Sequence, residues 1–392
     1  MKKILAFLTA FMLFIAVAAV LHFAASKGLS MNNKDFGFWV NSYKDASYSA
    51  ITLNLGKNSV PLLGSSEFHH GKRTKYHPSN VFRRGDKDLM IIGSPYTQCL
   101  FHATLIGAIE PEMKRKEVIM LVSPSWFKAK GIDPRAFAVR FSESEYLAFL
   151  SNDKLSKSLK KRVAVETENK LGTYPDMQKR VHRYNSIFLW GNGNPGDLLY
   201  TAVRRVFVGE VEKTTVNTAL KVTKIKRYKR WRESKLGGVN DDTKRYIKSL
   251  GVGAAIYAKK RSGNNPFFMD DKLYEKKIKP KEAAKREAAV NLSAAKSPEF
   301  NDLKIFLEVC RETGVRAKLV LLPTNAYWYD FTGFRLGQRE VIRDRILALA
   351  NDYDVPVRDL SGKEYSKYFF RDAVHPSAKG WIKIDEAINK LY

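Results

Sequence analysis

The chain has 392 residues, of which 44% are hydrophobic and 12% aromatic. That is enough apolar material for one large domain with insertions or two smaller ones, and it excludes wholesale disorder. Lys and Arg number 68 against 40 Asp and Glu, a formal net charge of +28, so the surface is built to meet something anionic: nucleic acid, acidic lipid or a polyanionic polymer.

The N-terminus chooses among these. Lys2 and Lys3 precede an apolar run from Ile4 to Leu21, broken only by Thr9, and low polarity continues to Ala25. About 20 residues is the length a helix needs to cross a bilayer, so residues 1–26 read as a transmembrane anchor. Ala24-Ala25-Ser26 keeps a cleaved signal peptide as the alternative. The leading lysines put the N-terminus inside and residues 27–392 outside as a single-pass extracytoplasmic domain. An outward-facing domain does not meet nucleic acid, so the positive charge points to the membrane surface or a cell-wall polyanion.

Residues 28–58 carry aromatics without a sustained helical period and read as a juxtamembrane lead-in. Val60–Leu63 is the first strand, ending in Gly64-Ser65-Ser66. The second strand is Asp88 to Gly93, followed by a helical pattern from Gln98 to Ile109, and the third is Glu117 to Val122, stopped by Ser123-Pro124-Ser125-Trp126-Phe127. Continuous apolar runs followed by helices are what a parallel sheet covered on both faces requires.

From about 130 to 298 the chain turns helix-rich, strand-poor and strongly basic. Lys213 to Leu236 interleaves lysines and arginines with Tyr228 and Trp231, and Lys276 to Lys281 adds a second basic cluster. Such an insertion is either a solvated surface or a holder of phosphate polymer or anionic lipid. The α/β rhythm then returns: a helix from Phe300 to Thr313, a fourth strand from Lys318 to Leu322, the aromatic loop Tyr327-Trp328-Tyr329-Asp330, a helix from Gln338 to Tyr353, a fifth strand from Val355 to Leu360, and a last helix from Ser377 to Leu391. The expectation is a three-layer α/β/α domain with a mostly parallel five-stranded sheet and a large helical insertion. Cys99 and Cys310 sit in apolar helix-like contexts and read as buried thiols. No Cys/His cluster has zinc-site spacing, and no cofactor is called for.

A serine at the C-terminal edge of a parallel sheet is a candidate nucleophile, although Gly-Ser-Ser is also ordinary turn chemistry. Asp372-Ala373-Val374-His375-Pro376 supplies a base. A carboxylate three residues before a histidine, on a loop entering a helix, can accept the Nδ1 proton and leave Nε2 to take one from a serine. The bland alternative is a helix-start aspartate and a surface histidine.

Gly64-Ser65-Ser66 early and Asp372-x-x-His375 late resemble the SGNH/GDSL hydrolase-like superfamily, in which the serine two after the glycine is the nucleophile, here Ser66. More narrowly, the chain resembles the DltD family. That likeness rests on the N-terminal anchor, Leu63 to Phe68, Ser123 to Phe127, Asn325 to Gly333 and Asp372 to Pro376. The superfamily's usual aspartate is replaced by Ser65, and its Gly-x-Asn-Asp block is absent, with Ser123-Pro124-Ser125-Trp126 in that place. The oxyanion donors named first for this chain are the Ser66 and Gly93 N–H groups; the Asn325 side chain is either a further donor or simply the cap of its own loop. Ser125, Trp328 and Tyr329 are placed at the substrate.

The resemblance implies D-alanyl transfer to lipoteichoic acid on the outer membrane face, through Ser66, His375 and Asp372 and an acyl-serine. Its polyglycerol-phosphate acceptor agrees with the positive charge. It also implies a multispanning membrane acyltransferase (DltB) and a D-alanyl carrier protein (DltC) in the same pathway. Two other readings stand beside it: a thioesterase or esterase that removes D-alanine, and a non-catalytic anchored scaffold.

Overall fold

A computed structural model of the chain describes residues 2–29, 34–223 and 241–392. Five strands, β1 (Val60–Leu63), β2 (Leu89–Ile92), β3 (Glu117–Val122), β4 (Arg316–Leu321) and β5 (Val357–Asp359), form one sheet in the order β2-β1-β3-β4-β5. Every pairing is parallel, with Leu62 opposite Ile91 on one side and Ile119 on the other. All positions of β1, β2 and β3 are buried, the reason these strands read as unbroken apolar runs.

Alternate residues feed two cores. Leu63, Met90, Ile92, Met120 and Leu319 face a layer that includes the helices Cys99–Ile109 and Glu299–Thr313. Val60, Leu62, Ile91, Ile119 and Val320 face the helices Asp241–Arg261 and Ala378–Leu391, with Trp381 fully buried between them. The result is the expected three-layer α/β/α arrangement. Chain order reverses at β1: β2 lies to one side and β3 to the other. In open α/β sheets the crevice at such a switch point, beyond the strands' C-terminal ends, is where ligands bind.

Among the described residues no strand lies between 130 and 298, and the stretch is helical as expected. The basic run from Lys224 to Leu236, with Tyr228 and Trp231, lies outside the described residues. The Lys276–Lys281 cluster is mostly exposed. Cys99 and Cys310 are free and buried.

The lead-in differs from expectation. It forms the short helices Lys34–Phe38, Ser42–Asp45 and Tyr48–Thr52, which pack into the core through Phe36, Trp39, Ala50 and Ile51. Asn41 and Ser47 cap the latter two with side-chain oxygens. Helices of one turn carry no period to read, and only tertiary packing holds them. Ahead of them, Lys2–Leu29 is one helix, and its first part, Lys2–Ala24, is long and apolar enough to cross a membrane.

Candidate active site

β1 delivers Gly64, Ser65 and Ser66 to the C-terminal edge of the sheet, and a tight turn over Ser66–His69 follows at once. Glycine is required by close approach: a Cβ on Gly64 would meet the Phe68 ring at 2.6 Å and Glu67 Oε1 at 2.7 Å, and one on Gly93 would meet the Gly64 carbonyl at 2.7 Å. The turn is pinned from several sides. The Glu67 carboxylate accepts the Ser65 N–H at 2.7 Å. Thr97 Oγ1 and His102 Nε2 both donate to the Gly64 carbonyl, at 2.8 and 2.9 Å. Ser65 Oγ donates to the Ser94 carbonyl at 3.2 Å, which leaves Ser66 as the hydroxyl free to face the cleft.

The partner histidine comes from the other end of the chain. Phe370 bridges Pro376, Arg371 N–H donates to the His375 carbonyl at 2.9 Å, and Ser377 Oγ caps the Ala378–Leu391 helix. Inside this loop Asp372 Oδ1 accepts the N–H groups of Val374 and His375 at 3.0 and 2.8 Å. Both Asp372 oxygens lie 2.9 Å from His375 Nδ1, and His375 Nε2 lies 2.8 Å from Ser66 Oγ. With a carboxylate on Nδ1 the ring carries its proton there, so Nε2 accepts the Ser66 hydroxyl. Burial alone would raise the Asp372 carboxyl, but the bonds from His375 and the two backbone amides outweigh it and hold it down at about 2.

Sequence reasoning missed several neighbours. The His70 ring lies against His375 with centroids 3.8 Å apart. Burial, together with His375, pulls His70 down to about 4, so it is a neutral ring packed on the base. His69 Nε2 meets Ser94 Oγ at 3.2 Å, and Ser94 Oγ donates to Asp45 Oδ2 at 2.7 Å, which ties the lead-in to the turn. The signal was the His69-His70 pair directly after the serine turn. His70, Asp372 and His375 also bring three potential metal-ligand atoms within 4.8 Å of one another. Asp372 and His375 already use theirs on each other and on Ser66, so the set fits proton transfer.

Ser66 and His375 open into a cleft of about 560 Å³. Ser125, Trp126 and Lys128 line it from the turn after β3, Lys285 from the insertion, and Trp328 and Tyr329 from the Ala326–Phe331 helix, which forms where the sequence reads as an aromatic loop. Ser125, Trp328 and Tyr329 line the same cleft as Ser66. Gly93 and Asn325 do not. The Gly93 N–H donates to Asp45 Oδ2 at 3.2 Å. Asn325 is buried, caps the Ala326–Phe331 helix through Oδ1 and donates from Nδ2 to the Phe267 carbonyl at 3.2 Å. Of the three groups named as oxyanion donors, the Gly93 N–H and the Asn325 side chain are thus spent on structure. Gln98 does line the cleft, and its Oε1 is buried without a partner among the described residues.

The comparisons with known proteins agree with one another. Protein DltD of Bacillus subtilis (strain 168) is 28% identical over 348 residues, covering 85% of this chain and 82% of its own length. Protein DltD of Staphylococcus aureus is 25% identical over 335 residues, 84% of this chain and 80% of its own. Protein DltD of Lacticaseibacillus rhamnosus is 24% identical over 342 residues, 85% and 77%. The family model described as DltD protein matches residues 40–392, a span that holds the whole sheet, the serine turn and the Asp372–His375 loop. The chain belongs to the DltD family.

Proposed function

We propose that the protein transfers D-alanine to lipoteichoic acid at the outer membrane face through an acyl-serine on Ser66. The DltD family takes part in D-alanylation of teichoic acids. The observation that carries the mechanism is the hydrogen-bonded chain from Ser66 through His375 to Asp372 at the mouth of a cleft. His375 Nε2 takes the Ser66 proton as Oγ attacks the carbonyl of a D-alanyl ester or thioester supplied by the membrane acyltransferase step. The leaving alcohol or thiol receives that proton, and the acyl-serine remains. A hydroxyl of polyglycerol-phosphate then gives its proton to His375 and attacks the acyl-serine, which restores Ser66 and yields the D-alanyl ester.

Lys128 and Lys285 on the cleft wall suit an acceptor whose repeating unit is a phosphodiester. Trp328 and Tyr329 cover part of the cleft with aromatic surface, which favours transfer to a polyol over transfer to water. The oxyanion falls to the Ser66 N–H, which has no acceptor among the described residues, and to the Gln98 carboxamide turned to present its NH₂.

Ser66→Ala and His375→Ala should each abolish D-alanyl ester on lipoteichoic acid in cells while leaving the protein folded. Normal ester content in both variants would sink the mechanism. Release of free D-alanine regardless of polyol would identify a hydrolase instead.

A further inference from the structure

The helix Pro195–Val222 has 28 residues, as many as the N-terminal helix, and it is apolar on two sides. Asn194 and Asp197 close a capping box at its start, and Pro195 fills its first position. One side packs on the domain through Thr201, Val208, Val216 and Leu220. The other presents Leu199, Val203, Val206, Phe207, Val211 and Val222, each between 48% and 75% exposed. A helix on the surface of a water-soluble protein turns its polar residues outward, and an apolar face of this size, with threonines between Val211 and Val222, marks a covered surface. The arginines do not interrupt it: Arg204 pairs with Glu143 at 2.8 Å, and Arg205 donates to the Leu147 carbonyl at 3.1 Å.

What covers the stripe is indicated by its neighbour. Phe14 and Ala18 of the N-terminal helix line one groove of about 1080 Å³ together with Val203, Phe207 and Val211. His22 of the same helix pairs with Glu210 at 2.6 Å. With Lys2 at the inner boundary, a rise of 1.5 Å per residue puts Phe14 about 18 Å, Ala18 about 24 Å and His22 about 30 Å across. A hydrocarbon core is about 30 Å thick. Phe14 and Ala18 then lie in its outer half and the His22–Glu210 pair at its outer edge. Two of the groove's polar groups, Thr215 and Thr218, donate back to the carbonyls of Val211 and Thr214 at 2.7 and 2.9 Å, the internal satisfaction that hydrocarbon demands.

We propose that the outward face of the Pro195–Val222 helix is embedded in the outer leaflet, beside the spanning helix, so that the domain is seated in the membrane at two places. The proposal rests on the reading of Lys2–Ala24 as a membrane span. Seated this way, the domain has its freedom to swing on the anchor removed, and its cleft keeps a set height above the bilayer.

The test uses the full chain in phosphatidylglycerol–phosphatidylcholine vesicles. Single cysteines replace Val203, Phe207, Val17 in the span and the exposed Lys363 on the turn after β5, each labelled with a polarity-sensitive fluorophore. The native Cys99 and Cys310 are buried with their thiols pushed up by burial, so they stay unlabelled. Labels at Val203→Cys and Phe207→Cys should match Val17→Cys: blue-shifted, quenched by doxyl lipid and shielded from iodide, with Lys363→Cys the reverse. Iodide access at 203 and 207 with the 17 label still shielded overturns the proposal and leaves the anchor standing. Iodide access at 17 as well brings down the span and this proposal with it. Shielding found only in native membranes identifies a protein partner, and shielding that rises with protein density identifies a second copy. Either overturns the lipid occupant.

Discussion

Asp372→Asn separates the two jobs of the aspartate. Oδ1 receives the Val374 and His375 N–H groups, and both oxygens face His375 Nδ1. The asparagine carbonyl can keep the two backbone bonds, so the loop holds its shape. Its NH₂ then occupies the Oδ2 position and donates to Nδ1, which moves the imidazole proton to Nε2. In that tautomer Nε2 donates to Ser66 Oγ and cannot take its proton. The equivalent exchange in a serine-protease triad costs about 10⁴ in rate, roughly 5 kcal/mol at 1.36 kcal/mol per decade. Folding loses one charge-assisted bond at a partly accessible site, at most about 1.5–3 kcal/mol. The assay is single-turnover formation of the D-alanyl-Ser66 adduct on the purified full chain, with a urea melt beside it. Adduct formation within tenfold of wild type, in a folded variant, would refute the tautomer argument.

Four further outcomes follow from the same structure. Asp372 sits at about 2 against an ordinary 3.8; a depressed acid stabilises the fold above its unfolded value and loses that as pH falls through 2, so about 2.5 kcal/mol should vanish between pH 4 and 2. Glu117 shifts the same way: burial would raise it, but Arg316, Lys318 and Arg115 hold it at about 2, and urea midpoints level across that window would contradict both. Gly93→Ala forces a Cβ to 2.7 Å from the Gly64 backbone and should cost about 1–3 kcal/mol in a denaturant melt; an unchanged midpoint would refute the packing argument. Gln98→Leu should slow adduct formation by about 10²-fold without unfolding the protein, and an unaltered rate would remove Gln98 from the oxyanion site. Truncation to residues 47–392 should melt well below 34–392, because it deletes Phe36, Trp39 and the buried Lys44 and Asp45, each large core loss costing about 3–5 kcal/mol; equal midpoints would show the lead-in to be dispensable.

Much of the sheet was legible because burial on both faces writes an unbroken apolar run into β1, β2 and β3. β4 starts at Arg316, two residues before the expected Lys318, because its first residue is exposed at the sheet edge and carries no hydrophobic signal. β5 is shorter than expected, Val357–Asp359, because the apolar Val355 and Leu360 that extended the pattern lie outside its pairing with β4. The outward stripe on Pro195–Val222 could not be separated from a core stripe, since both faces of that helix are apolar and periodicity does not say which is covered.

Gly93 and Asn325, the two donors that do not line the cleft, are held away from it for one physical reason. Gly93 and Asn325 were named for the donors they carry, yet a donor beside a buried strand end is claimed by the nearest acceptor before any substrate arrives. For Gly93 that acceptor is Asp45, from a lead-in helix of four residues that no pattern reveals. The same carboxylate takes Ser94 Oγ, and Ser94 Oγ meets His69 at the end of the Ser66–His69 turn. Beside it, Lys44 Nζ donates to the Ile91 carbonyl of β2 at 2.6 Å. The segment that follows the Lys2–Leu29 helix is therefore wired to the strand ends that carry the serine. In the mechanism proposed for Ser66 this segment acts as a support that holds the turn, and the oxyanion donors come from groups that the fold leaves unclaimed.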